Sequence, residues 1–283
     1  MVIIQPSGGL CNRMRVINSS LELAKRKGAK LLVLWYCADE LNAPFESLFQ
    51  PVEEFKVINF TSLKDLRKIW YQLTARTRIT NAEIENHKTN GTLDQDFFDS
   101  IKLPAYIFTW EHFYPTNEYY GLFKPTAELQ KRIDEMTAQF SEDMVSVHIR
   151  RTDQLVSIEH SKTENFIELM NREIDANPNV KFFLATDDKE EEALLRKTFP
   201  GKIVSNENRT LRRDSLEGMY DALLDLYCLA SCKKIIGSYF SSFTDIAADI
   251  GGIEKLVAGI DNKRGLGIFD TLVGRLRGLW KIL

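Results

Sequence analysis

Apolar residues recur along the chain in two alternating periods, one suited to helices and one to buried strands. Val2 to Ile4 is a short apolar run, followed by the turn-rich stretch Pro6-Ser7-Gly8-Gly9-Leu10-Cys11-Asn12. From Arg13 to Lys27, Met14, Ile17, Leu21 and Ala24 recur at helical spacing, and Gly28 ends the pattern. Lys30 to Trp35 then reads as a fully buried strand, which completes a βαβ unit and opens a parallel sheet. Beyond Thr126 the alternation becomes regular. It predicts helices over 127–140, 165–176, 189–198, 216–230 and 245–250, with strands over 144–149, 180–185, around Ile203, 234–237 and 255–260. Such alternation means parallel sheets with right-handed crossovers. Between 40 and 125 the period is lost among Pro44, Pro51, Pro104, Pro115, aromatic clusters and the polar stretch Asn81 to Thr92, so loops and insertions are expected there. The expected fold class is α/β, with two Rossmann-like parallel-sheet domains over 1–125 and 126–262 and a separate C-terminal segment, 263–283.

Composition narrows the field. A chain of 283 residues suits two domains at about 150 residues each. Hydrophobic residues at 44% and charged residues at 27% are globular values and leave no case for a disordered, collagen-like or coiled-coil chain. The net charge of −3 argues against a nucleic-acid partner, which calls for a basic domain. The apolar stretch Leu31 to Ala38 is far below the roughly 18 residues of a membrane span, and Met1 to Gln5 lacks the basic start of a signal peptide. A cytoplasmic protein is expected. The charge is uneven at the end: from Asn262 onward five cations (Lys263, Arg264, Arg275, Arg277, Lys281) face one acid, Asp270, giving +4. Phe269, Leu272, Val273, Leu276, Leu279, Trp280 and Leu283 fall on one helical stripe there. Two readings are open for 267–283: peripheral contact with the inner face of an anionic membrane, or packing back on the protein. Cys228 and Cys232 share a helix face but lack nearby ligands to complete a metal site, so they read as buried thiols.

In open α/β sheets ligands bind beyond the carboxyl ends of strands, and three strand ends carry polar groups. His148-Ile149-Arg150-Arg151-Thr152-Asp153 brings arginines where a strand leaves the core. A guanidinium there meets an anion such as phosphate, or closes an internal pair, here Arg151 with Asp153. Asp187 and Asp188 end the next strand, where they either bind a divalent metal or cap the helix that follows. Gly237-Ser238-Tyr239-Phe240-Ser241-Ser242-Phe243-Thr244 opens onto a helix and offers hydroxyls and N–H groups to an anion. Asp225 lies in the middle of an apolar helical face and requires a partner: the paired donors of guanine, or a salt bridge to Arg212 or Arg213.

These segments, with Leu224-Asp225-Leu226-Tyr227 and the N-terminal Gly8-Gly9-Leu10-Cys11-Asn12-Arg13, resemble motifs of the α1,6-fucosyltransferases. That group includes core N-glycan and bacterial nodulation-factor enzymes and is related to the protein O-fucosyltransferases. The resemblance covers 141–250 and 1–36. It implies a GT-B-like fold, two domains facing across a cleft, with GDP-fucose as donor held by the second domain and no metal cofactor. By position it implies that His148 and Asp225 touch guanine, that Arg150 and Arg151 meet the diphosphate with Ser241 and Ser242, and that Gly9, Asn12 and Arg13 face the cleft. The catalytic base is expected at Glu159, with Asp153 as second candidate. The expected function is inverting, metal-independent fucosyl transfer to an oligosaccharide or lipid-linked glycan in bacterial surface-glycan synthesis. The alternatives are transfer of another GDP-sugar such as GDP-mannose, and guanine-nucleotide binding without catalysis.

Overall fold

The structure is a computed structural model and describes residues 1–260 apart from Asp39, Asn90, Gly91, Asp153, Asn208 and Leu211. Of the expectations above, the candidate base Asp153 and the amphipathic segment 263–283 lie outside the described residues. The chain divides into two compact units, one formed by Met1–Gln130 with Arg212–Tyr220, the other by Lys131–Leu211 and the chain from Asp221.

The first unit runs β1 (Val2–Pro6), α1 (Leu10–Arg26), β2 (Leu31–Tyr36), α2 (Phe45–Leu48), β3 (Phe55–Phe60), α3 (Leu66–Thr74), β4 (Thr77–Ile79), α4 (Asn81–Asn86), β5 (Lys88–Thr89), β6 (Thr92–Leu93), α5 (Gln95–Ser100) and β7 (Ala105–Thr109). Five strands form a sheet in the order β3-β2-β1-β7-β4, with every pair parallel. The central strands are apolar throughout because both of their faces are covered, and β1 is buried along its whole length. The segment expected to be loops therefore supplies three of the five strands. Its strands are short or interrupted, so their pattern is faint: β3 carries Lys56 and Asn59, and β4 has three residues. A second correction concerns α1, which begins at Leu10 rather than Arg13. Of the turn-rich stretch only Gly8, at φ +81°, needs a left-handed backbone, while Leu10 and Cys11 are already buried helix residues.

Beyond α6 (Ala127–Thr137), whose first turn counts with the first unit, come β8 (Val145–Ile149), α7 (Leu155–His160), α8 (Thr163–Ala176), β9 (Phe182–Thr186), α9 (Lys189–Thr198), β10 (Ile203–Val204), α10 (Leu216–Ala230, of the second unit from Asp221), β11 (Lys234–Gly237), α11 (Ser242–Gly251) and β12 (Glu254–Val257). Its sheet is again five-stranded and parallel, in the order β10-β9-β8-β11-β12. Val145, Val147 and Ile149 of β8 pack with Phe182 and Leu184 of β9 and Phe166 and Met170 of α8 in one buried cluster. Each such side chain contributes roughly 1.5–3 kcal/mol by leaving water. Strand order advances from β8 outward to β10, then resumes on the other side with β11. The reversal between β8 and β11 is the topological switch point, the position at which open α/β sheets bind their ligands. Among the described residues no helix is long and apolar enough to cross a membrane.

Candidate functional site

At this switch point Gly237 of β11 stands in register with His148 of β8. Ser238 extends the join past the ladder. Its N–H donates to the His148 carbonyl at 3.1 Å, and its Oγ accepts from the Arg150 N–H at 3.0 Å. The chain then reverses within four residues into α11. Phe240 is left-handed at φ +56°, a conformation that costs a side chain about 1 kcal/mol or more and persists where surroundings enforce it. The surroundings here are Ser157 and Ser161 at α7, which respectively donate to the Tyr239 carbonyl at 2.6 Å and accept from its N–H at 2.8 Å. Ser241 caps α11, accepting from the Thr244 N–H at 3.5 Å.

His148 is buried at the centre of this turn. Its Nδ1 lies 2.9 Å from Thr244 Oγ1 and 3.4 Å from Ser241 Oγ, and its ring stacks on Phe243 with centroids 4.9 Å apart. Two hydroxyls and an aromatic face thus fix its plane. The helix comes this close because residue 237 is glycine: a Cβ there would lie 2.0 Å from Thr244 Cγ2. Ser242, half-buried, occupies the first turn of α11 beside the cap.

The two arginines of the strand end part company. Arg150 is half-buried at the mouth of the loop. Arg151 points into the unit: its guanidinium pairs with Glu191 at 3.0 Å, donates to the Ser161 carbonyl at 2.9 Å, and lies over Phe166. Among the described residues its acidic partner is Glu191, which makes the side chain an internal brace between α7 and α9. Asp187 clamps the same loop from the end of β9, accepting from the Arg151 N–H at 2.7 Å and from Thr152 Oγ1 at 2.7 Å. Asp188 caps α9 through the N–H groups of Glu190 and Glu191. The two acids therefore organise backbone, and among the described residues no cluster of His, Cys, Asp or Glu is suited to a metal ion.

Asp225, on α10, is buried, and its Oδ1 has no hydrogen-bond partner among the described residues. Burial pushes its carboxyl up to about 7; Arg209 pulls the other way, while Asp221 and Glu192 add to the rise. The expected salt bridge to Arg212 or Arg213 is not the arrangement found. Arg212 pairs with Asp214, both exposed, and the cation acting on Asp225 is Arg209. That guanidinium is itself anchored at the sheet end, donating to the carbonyls of Thr186 and Asn206 at 3.1 Å each and to Glu192 at 2.8 Å. Glu159 is exposed on α7, a short helix where a loop was expected. Arg209 is missing from the sequence-based expectations, and Ser238 and Thr244 figure there only as loop hydroxyls, not as the groups that hold the Arg150 N–H and the His148 ring.

In the first unit, Gly8 and Gly9 lead into α1 at the reversal between β1 and β7. The Asn12 amide covers Gly8, where a Cβ would sit 2.7 Å from Nδ2. Arg13 is 2% exposed. It donates to the carbonyls of Gly8 at 2.7 Å and Tyr36 at 2.5 Å and stacks over Trp35. Desolvation lowers its pKa to about 10. Arg13 ties the glycine turn to the end of β2. All four cysteines are buried and none is in a disulfide.

No family model and no curated protein matches the chain by sequence. Solved structures match it in fold. The chain is similar to NodZ α-1,6-fucosyltransferase soaked with GDP-fucose, at 19% identity and a TM-score of 0.62, over 93% of this chain and 95% of that one. Fucosyltransferase NodZ from Bradyrhizobium matches at 20% identity and a TM-score of 0.58, over 87% and 92%. POFUT1 in complex with GDP-fucose matches at 12% identity and a TM-score of 0.56, over 92% and 97%. The fold is that of these fucosyltransferases. Within that fold, residues 148–152, 185–188 and 237–244, singled out in the sequence, lie at the carboxyl ends of β8, β9 and β11 and in the loops that follow.

Proposed function

We propose that the protein is an inverting, metal-independent fucosyltransferase that moves fucose from GDP-fucose to a glycan acceptor in bacterial surface-glycan synthesis. The observation that carries the reading is Asp225, a buried carboxylate with one oxygen left unpartnered among the described residues. Its attendant Arg209 is fixed at the same sheet end as the His148 turn. An unmade hydrogen bond in such a place costs about 1–3 kcal/mol. Guanine, with N1–H beside a 2-amino group, presents the two donors that recover it. The fold shared with enzymes solved with GDP or GDP-fucose supports the same donor here.

In this reading His148, held by Thr244, meets the base. Arg150 meets the diphosphate. As the glycosidic bond breaks, positive charge grows on the sugar and negative charge on departing GDP, so a cation fixed at the diphosphate stabilises the transition state more than the ground state. Ser241 and Ser242 add donors at the start of α11, where the helix dipole favours an anion. Glu159 takes the proton of the acceptor hydroxyl, with Asp153 as the alternative. Gly8, Gly9 and Asn12 belong to the acceptor side.

Thermal shift with GDP, GDP-fucose, GDP-mannose, UDP and NAD tests the donor, because a ligand raises the melting temperature according to its affinity. GDP and GDP-fucose stabilise the protein; UDP and NAD do not. Arg150→Ala lowers kcat by about 10²–10³ and weakens GDP binding less. Unchanged turnover in that variant refutes the leaving-group role, and preferential turnover of GDP-mannose refutes the sugar.

A further inference from the structure

Helix α3 departs from the ordinary pattern of a surface helix, which turns its apolar side inward. Its inner side is marked by Tyr71, which packs with Ala75 against Ile3, Leu32, Leu34, Phe60 and Tyr106, and by Gln72, which donates to Tyr106 Oη at 3.0 Å. At 3.6 residues per turn the opposite side carries Leu66, Trp70 and Leu73. These are 81%, 57% and 67% exposed, and Leu63, just before the helix, is 53% exposed. Single exposed leucines are commonplace, but four large apolar side chains together form a patch that marks an interaction site. The fringe is basic. Between Ser62 and Arg78 lie Lys64, Arg67, Lys68, Arg76 and Arg78 against one acid, Asp65, a local +4 in a chain of net −3. Asp65 is already paired with Arg67 at 2.7 Å.

We propose that this face docks on the surface of an anionic lipid bilayer. Leu66, Trp70 and Leu73 then enter the boundary between headgroups and acyl chains, and Lys64, Arg76 and Arg78 reach the lipid phosphates. Charge selects this occupant. The other apolar stripe of this chain, in residues 262–283, carries +4 of its own and is repelled. A second copy of α3 brings the same like charge. Tryptophan beside leucine, with long basic side chains around them, is the composition that settles at a membrane interface. The helix has nine residues, about 14 Å in length, so it lies on a bilayer and does not span one. The inference is independent of the donor reading.

The test is co-sedimentation of the full chain with vesicles of phosphatidylcholine plus phosphatidylglycerol, and with phosphatidylcholine alone. The native protein binds the anionic vesicles and binds less as salt is raised. Combined Leu66→Gln, Trp70→Gln and Leu73→Gln substitutions, and separately Lys64→Glu with Arg76→Glu, lower the partition coefficient by about tenfold or more. Deleting residues 267–283 leaves those decrements in place. Should the triple variant not fold, quenching by acyl-brominated lipid in the native protein supplies the readout, and it is lost in Trp70→Phe. The proposal is overturned by absence of binding to anionic vesicles, by equal binding to neutral ones, or by undiminished binding of the triple variant. A native dimer that the triple variant dissociates also overturns it, because the face then belongs to a second copy.

Discussion

Replacing Asp225 by asparagine separates stability from binding. The carboxyl moves from an ordinary 3.8 to about 7 in the folded protein, chiefly because it is buried. Three units correspond to about 4 kcal/mol. A raised pKa means that the folded state holds its proton more firmly than the unfolded state. The penalty is absent below about pH 4, grows as pH rises from there to about 7, and is complete above that. Asparagine is neutral throughout. Asp225→Asn is therefore as stable as the native protein near pH 4 and more stable by about 4 kcal/mol at pH 8, read as the urea midpoint across a pH series. GDP affinity moves the opposite way, falling about tenfold or more, because the amide presents a donor where guanine also offers one. Binding at pH 6 releases a proton in the native protein and none in the variant, which calorimetry in buffers of different ionisation enthalpy detects. A stability difference that is flat with pH, or that favours the native protein at pH 8, refutes the account of Asp225 as a carboxylate kept dry for a ligand.

Gly237→Ala places a methyl 2.0 Å from Thr244 Cγ2; it costs about 1–3 kcal/mol in thermal unfolding and, by moving Thr244 off His148, weakens GDP binding. Arg151→Ala leaves Glu191 buried without its cation and destabilises by about 3–5 kcal/mol, while kcat at low temperature changes far less than in Arg150→Ala. Transfer continues at an unchanged rate in EDTA; loss of activity with rescue by Mg²⁺ or Mn²⁺ returns Asp187 and Asp188 to consideration as metal ligands.

The second unit was legible because its signals reinforce one another: apolar strands such as Phe182–Thr186 alternate with amphipathic helices, and the polar residues sit where strands end. In the first unit only β1, α1 and β2 announce themselves. Strand β7, Ala-Tyr-Ile-Phe-Thr, is a plausible buried run, but it follows Pro104 and its parallel partner β1 is a hundred residues upstream. Helix α3 has the right period with its apolar stripe turned outward, so periodicity alone misleads about which side is core. Partnerships were the hardest to foresee. Sequence proximity offered Arg212 or Arg213 to Asp225, whereas the cation acting on it is Arg209, and Arg151 pairs with Glu191 on a helix of the next crossover. Carbonyls needing donors at buried strand ends recruit arginines, as Gly8 and Tyr36 recruit Arg13, and nothing in a local motif records that need.

The inward lock on Arg151 removes any redundancy between the adjacent arginines. With its guanidinium committed to Glu191 and the Ser161 carbonyl, and its own N–H held by Asp187, it has no freedom to swing round and stand in for a missing neighbour. Under the proposed function the pair divides its labour, and a survey that neutralises both positions together would sum a folding defect and a chemical one under a single loss of activity.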